Sequence, residues 1–287
     1  IIINVTQDIG YTDSTIQAAI DAASAGDKIY IASGSFNESV TIDKSITLVG
    51  SYMAGDTYPT VLTGSGLGNV PGITINSGVN DVTITGFEIA NFGASGITAQ
   101  GDGIDNVTIG RNYIHNVGAD GIHGNSGASQ VLSGWTLESN IISGYGSSGI
   151  KLVNVADSTG SKNKITGTGN SVAIEVGGQS DSGSVTVETV SIENNVIDDA
   201  DVRVTASGTA TTQNITVSKN TVNNGKITAL ADAGSSSGAT VKSITIKDNT
   251  LSGSSAGIDV RKQGSGTASL KSFTISNNKL TIHNPVA

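Results

Sequence analysis

The chain has 287 residues, and its 24 acidic side chains outnumber 15 basic ones for a net charge of −9, which disfavours nucleic acid and anionic membrane as partners. It contains no cysteine, which excludes disulfides, thiolate metal sites and a cysteine nucleophile, and no run of about eighteen apolar residues that would insert into a membrane. The 38 glycines, three prolines and 4% aromatics describe a chain of many turns and small side chains rather than long helices. The whole length reads as one domain, with residues 1–60 as N-terminal cap and first coils and 61–287 as repeat coils. The start at Ile1 rather than Met suggests a processed product, and export is permitted by the absence of cysteine.

In chain order, the first element is a helix. Ser14-Thr-Ile-Gln17 reads as a capping box, and Ile16, Ala19, Ile20 and Ala23 recur at helical spacing up to Gly26. The apolar stripe of such a helix closes the open end of a solenoid, which otherwise exposes its core and unpaired strand edges.

A repeat follows, of the form apolar-x-apolar-x-x-Asn-x-apolar. Clean copies are Val107-x-Ile109-x-x-Asn112, Trp135-x-Leu137-x-x-Asn140, Val190-x-Ile192-x-x-Asn195, Ile215-x-Val217-x-x-Asn220, Ile244-x-Ile246-x-x-Asn249 and Phe273-x-Ile275-x-x-Asn278. A degenerate copy ends at Asn163, and an earlier one, Val82-x-Ile84-x-x-Phe87, carries Phe in place of Asn. The asparagines are 28, 23, 32, 25, 29 and 29 residues apart. The period-2 alternation predicts strands, and the Asn predicts a bend whose side-chain amide bonds to neighbouring coils. A second inward pair follows each Asn, as in Ile122 and Gly124, Ile150 and Leu152, Ile174 and Val176, or Val202 and Val204.

The expected fold is therefore all-β, a single-stranded right-handed parallel β-helix with three short strands per coil and an Asn ladder (Asn112, Asn140, Asn163, Asn195, Asn220, Asn249, Asn278), behind an N-terminal capping α-helix. A leucine-rich repeat also carries an Asn ladder, but the variable period, the scarcity of leucine and the β-branched second strand argue against it. After Asn278 the chain runs Lys-Leu-Thr-Ile-His-Asn-Pro-Val-Ala without a second cap, so the expectation is either a truncated chain or an end covered by another domain or subunit.

The stretch Thr15-Ile-Gln-Ala-Ala-Ile-Asp21, with Gly26-Asp-Lys-Ile-Tyr30, Gly34-Ser-Phe-Asn-Glu38 and Ile42-Asp-Lys-Ser-Ile-Thr-Leu-Val-Gly50, resembles the opening segment of the pectin lyase-like superfamily. It is similar above all to the cap and first coils of pectin methylesterase-like and periplasmic carbohydrate-binding β-helices, and the Asn repeat resembles that superfamily generally. The resemblance implies a fold and points to polysaccharides, but it does not carry an activity. Of the methylesterase signatures only Gln7-Asp8 finds an echo, and it falls before the helix. Asp120 and Asp198, the nearest approach to a hydrolase carboxylate pair, are expected about three coils apart, too far for one site. The chain's arginines are Arg111, Arg203 and Arg261, and none lies in the Arg-x-Pro signature of pectate lyases.

One constellation remains. The outward positions between the inward pairs read Thr98, His123, Lys151, Glu175, Arg203, Thr228 and Asp259 on successive coils. A row with His123, Lys151, Glu175 and Arg203 on neighbouring rungs suits binding of an acidic sugar, or the base, acid and carboxylate neutraliser of a lyase or epimerase. Cross-strand charge pairing, worth about 0.2–1 kcal/mol per pair, is the simpler account of the same row. His115, Asp120 and Tyr145 are further ligand-binding candidates, with Tyr52, Tyr58 and Tyr113 as possible ring contacts. Glu193, Asp198, Asp199 and Asp201 offer hard oxygens for a metal, so Ca²⁺ is conceivable although no cofactor is required. Sequons occur at Asn4, Asn37, Asn106 and Asn214.

The leading functional expectation is an extracellular or cell-surface module, periplasmic as a variant, that binds a polysaccharide or cell-surface glycan without processing it. The alternatives are a polysaccharide lyase or epimerase acting on an acidic glycan, and a purely structural surface-assembly spacer.

Overall fold

The computed structural model describes residues 1–11, 15–53, 55–127, 130–235 and 238–282. It is an all-β parallel solenoid of about 9 turns with a single short helix among the described residues. Three strand stacks make its walls. Face I, the strands leading into the ladder, runs from Lys28–Ile31 and Thr47–Gly50 through Val82–Thr85 and Val107–Gly110 to Ser269–Ser276. Face II follows the ladder, as in Glu88–Phe92, Tyr113–Val117 and Ile141–Tyr145. Face III carries the second inward pairs, as in Ile97–Gln100, Ile122–Asn125 and Ser148–Val153. Three separate strands per coil hold for the early coils. Later, faces II and III fuse into continuous bent strands, Lys164–Ser180 and Val196–Gly208.

Alternation makes the core a set of stacked columns. On face I, Leu48, Ile84, Ile109, Leu137, Gly160, Ile192, Val217, Ile246 and Ile275 lie in register. Trp135 and Phe87 are fully buried among them, and the Trp135 indole N–H donates to the Ile104 carbonyl at 2.8 Å. The indole occupies the space opposite Gly124, where a Cβ would stand 2.8 Å from its ring.

The ladder forms as expected, and Asn163 is a full member. Each amide nitrogen donates to the next asparagine's Oδ1, from Asn112 to Asn140 at 3.2 Å through to Asn249 and Asn278 at 2.9 Å. Its second N–H goes back to a face I carbonyl, as Asn140 to Ile109 at 2.8 Å, and the same Oδ1 accepts the backbone N–H of the preceding ladder residue. Phe87 supplies only that backbone N–H, to Asn112. The copy at Asn163 looks degenerate because its inward positions are Ser158 and Gly160, yet Ser158 is buried with its hydroxyl bonded to the Ala156 carbonyl.

The bend itself sits one residue earlier than the Asn. Arg111, Ser139, Lys162, Asn194, Lys219, Asp248 and Asn277 all have φ between 53° and 59°, the left-handed region that turns the chain inward at a cost for non-glycine residues. The ladder bonds hold that conformation in place.

The helix spans Ile16–Ala22, with Ile16, Ala19 and Ile20 fully buried against the first coil. Its N-cap is Thr15, whose hydroxyl accepts the Ala18 N–H, not Ser14, which lies outside the described residues. Gln17 does not close a box. Its amide pairs with both backbone groups of Thr41, while the Glu38 carboxylate accepts the Ile16 and Gln17 N–H groups. Before the helix, Ile2–Asn4 runs antiparallel to both Ile9–Tyr11 and Lys28–Ile31. Asn4 is buried against Asp27, whose carboxyl is held below its ordinary value chiefly by the Asn4 hydrogen bond at 2.7 Å, so this sequon is not open to a glycan. At the far end Ile275 and Leu280 are half exposed, and residues 283–287, part of the expected uncapped tail, lie outside the described residues.

Two stability outcomes follow. Asn195→Ala strips the Asn163 backbone and amide donors and the Gly160 carbonyl of their partners; at about 1–3 kcal/mol per orphaned buried group, the urea midpoint falls by the equivalent of at least about 3 kcal/mol. Gly160 is buried with nothing within 4 Å of an added Cβ and no left-handed φ. Gly160→Ala should therefore raise the unfolding free energy by about 0.4–1 kcal/mol, and a lower midpoint would contradict the void.

Candidate functional site

The row on face III is real. Thr41, Thr74, Thr98, His123, Lys151, Glu175, Arg203, Thr228 and Asp259 pair rung to rung in parallel register, about 4.8 Å apart, each between two inward residues. Its charges do not pair along the row. Arg203 Nη2 lies 3.5 Å from Asp201 Oδ2 on its own strand, and Arg261 Nη1 lies 3.1 Å from Asp259 Oδ2. Among the described residues neither Lys151 nor Glu175 has an ion-pair partner within 4.0 Å.

His123 is held from beside. Its Nδ1 lies 3.3 Å from Asp120 Oδ2, and the other Asp120 oxygen accepts the Ser148 backbone N–H at 2.9 Å. Asp120 is thus buried and tied into the coil. Burial pushes the imidazole below its ordinary pKa against the opposing pull of Asp120, and Lys151 on the next rung adds to the depression. The His123 Nε2 is buried without a hydrogen-bond partner among the described residues. Where the row meets the next corner, Asn125, Ser126, Asn154, Gln179, Ser180 and Asp181 line a polar groove of about 220 Å³.

The other candidates do not join this row. His115 stands on face II, in register with Ser143, its Nε2 3.0 Å from Glu88 Oε1 and its ring stacked on Tyr113 at 4.3 Å. Tyr145 is buried, with its hydroxyl 3.4 Å from Ser171 Oγ and its phenol pKa raised by burial, so it offers no ring face to a ligand. Asp198 belongs to the stack of His115, Ser143 and Thr166, on a different face from Asp120 and three rungs from His115.

The acidic set is dispersed into structural bonds. Asp198 accepts from Asn223 at 2.7 Å, Asp199 from Asn224 at 3.1 Å and Asp201 from the Lys226 N–H at 2.9 Å, while Glu193 ends a strand of face I. Among the described residues no group of three or more His, Cys, Asp or Glu side chains is placed to hold a metal, so the geometry does not support the Ca²⁺ candidates Glu193, Asp198, Asp199 and Asp201.

One feature was missed by sequence reasoning. A cleft of about 560 Å³ opens on the first coils of face I, lined by Tyr30, Tyr52, Met53, Pro59, Thr85 and Arg111 among others. The only signal for it was the presence of Tyr52 and Arg111 as isolated residues.

Stacked parallel coils with a buried Asn ladder and an N-terminal cap define the parallel β-helix class. A model of the right handed beta helix region matches residues 71–243, more than half of the chain, and the protein belongs to that family. Among solved structures, endopolygalacturonase I from Stereum purpureum, complexed with two galacturonate, is similar at 14% identity and TM-score 0.59, covering 95% of this chain and 99% of that one. The Agl-KA catalytic domain is similar at 14% identity and TM-score 0.55, covering 98% and 68%. PfbA, a surface adhesin of Streptococcus pneumoniae, is similar at 13% identity and TM-score 0.49, covering 93% and 87%. At these identities the likeness is one of fold alone. A search of curated proteins finds no match to the sequence.

The depressed His123 pKa has a sign that can be tested. The folded state resists protonation, so no penalty exists above the unfolded value of about 6.5, and one grows as pH falls below it. Between about pH 7.5 and pH 5.5, the wild-type unfolding temperature should therefore drop more than that of His123→Gln. Parallel pH profiles for the two proteins would show that His123 carries no such penalty.

Proposed function

We propose that this chain is a non-catalytic β-helix module, secreted or at the cell surface, that holds a glycan along the outward row of face III. The observation that carries the reading is Lys151, a cation in mid-row without an ion-pair partner among the described residues, flanked by His123 and Glu175 on adjacent rungs. It stands beside a groove lined by amides and hydroxyls, the groups that satisfy sugar hydroxyls. An unpaired ammonium and a carboxylate on the adjacent rung match the mixed donors and acceptors of an acidic glycan.

Binding rather than chemistry is favoured by how the other groups are committed. A lyase or epimerase needs a base whose nitrogen or oxygen reaches a sugar carbon. The His123 Nε2 is covered by protein, Asp120 is tied to Ser148, and Arg203 leans on Asp201.

On a glycan array, wild-type protein is expected to bind uronic-acid-containing glycans, and Lys151→Ala to weaken that binding about tenfold, the worth of one lost charge-assisted hydrogen bond. Uronic polymers incubated with the protein, with and without Ca²⁺, should yield no ultraviolet-absorbing unsaturated product. Such a product would replace this reading with a lyase; self-association in solution with an empty glycan array would replace it with a structural spacer.

A further inference from the structure

We infer that the cleft on face I of the first coils is a separate binding site for a sugar acid, with Arg111 receiving the carboxylate and Tyr52 the ring. The site is built by an interruption in two columns. The outward column of face I opens with Tyr30, Val49 and Thr85 before reaching Gly110. Beside it, the bend column opens with Gly50, Gly86 and Arg111, where later rungs carry Ser139, Lys162, Asn194 and Lys219.

The two glycines are dictated by close approach. A Cβ on Gly50 would stand 2.4 Å from the Gly86 carbonyl oxygen, and one on Gly86 would stand 2.5 Å from that of Gly50. The floor of the cleft is consequently bare backbone. Ser51, Tyr52, Met53 and Pro59 line the cleft, and Ser51 is fastened to face I where the Tyr30 hydroxyl meets its Oγ at 2.9 Å. Tyr30 and Val49 on face I line the same cleft. The resulting 560 Å³ lies within the range of small-molecule sites.

Two side chains give the cleft its chemistry. Tyr52 is 43% exposed, and its ring is steadied from behind by Tyr58, 5.3 Å away, which in turn lies 6.0 Å from Tyr113. An exposed ring backed in this way offers an apolar face to the C–H face of a pyranose. Arg111 is exposed and has no ion-pair partner among the described residues, because Glu138 on the next rung is taken by Lys162 at 2.6 Å. A guanidinium fork donates two parallel hydrogen bonds to a carboxylate. The Ser33, Ser51 and Thr85 side chains line the space between for sugar hydroxyls. In a chain of net charge −9, anion binding here depends on that one cation.

This site stands whether or not the row on face III binds a glycan, and one titration separates the two. Isothermal titration of the full chain with sodium D-galacturonate and D-glucuronate should show binding, with glucose and acetate each weaker by about tenfold or more. Arg111→Gln should weaken hexuronate binding about tenfold and erase the preference over glucose, and Tyr52→Ala should weaken hexuronate and glucose alike. Both replacements sit on the surface; other rungs place Ser, Lys and Asn at the position of Arg111, so folding is retained and is checked by circular dichroism. Lys219→Gln, a charge loss in the same bend column farther along the rod, should leave binding unchanged. The assignment is overturned if wild type binds no hexuronate, if acetate binds as tightly, if Arg111→Gln binds as wild type, or if affinity follows Lys151→Ala instead.

Discussion

The asparagine ladder is the constraint on which the rest depends. A chain that winds around a core only a few side chains wide must turn inside its own apolar interior, and every turn buries backbone groups that the strand ladder leaves free. Seven asparagines, six of them buried, resolve this with one repeated geometry: each donates back to a face I carbonyl, those from Asn112 to Asn249 also donate forward to the next asparagine, and the oxygens from Asn140 to Asn278 each accept twice. The same bonds fix the left-handed residue that precedes each asparagine and set the register of the strands on either side. A slip of one residue would turn every inward side chain outward, so the ladder also decides which side chains meet solvent, and in what order.

That order separates the charges by task. The carboxylates are mostly committed to the coil itself: Asp120 to Ser148, Asp198 to Asn223, Asp199 to Asn224 and Asp201 to Lys226 and Arg203. These bonds link successive rungs and pin the corners between faces II and III. The cations Lys151 and Arg111 have no such commitment among the described residues. They share that freedom with other lysines, such as Lys219 and Lys247, but in a molecule whose net charge is negative they place local positive charge on face III and at the edge of face I.

Most of the fold was legible because its signals are explicit in the chain: alternation names the inward residues, and an Asn at a fixed offset names the bend. The row from Thr98 to Asp259 follows from those two facts and is reproduced position for position. Tyr145 was misjudged although a signal existed, since Phe92, Val117 and Tyr145 share one column, each five residues past its ladder position, and all three are buried. The fused strands on faces II and III were not legible, because whether a corner keeps its hydrogen bonds depends on local geometry rather than pattern. The face I cleft was hidden for a different reason. Tyr30, Tyr52 and Arg111 are far apart in sequence, and what joins them is a pair of glycines whose meaning appears only when two coils are stacked.

Successive ladder asparagines are between 23 and 32 residues apart, yet their side-chain contacts stay between 2.9 and 3.2 Å. A surplus of up to nine residues is therefore expelled sideways and adds nothing to the rise per turn. Breadth and reach become independent quantities: lengthening a corner alters what the rod can touch at that height, whereas duplicating a whole coil alters only how far it extends. A rod built this way can change one without disturbing the other.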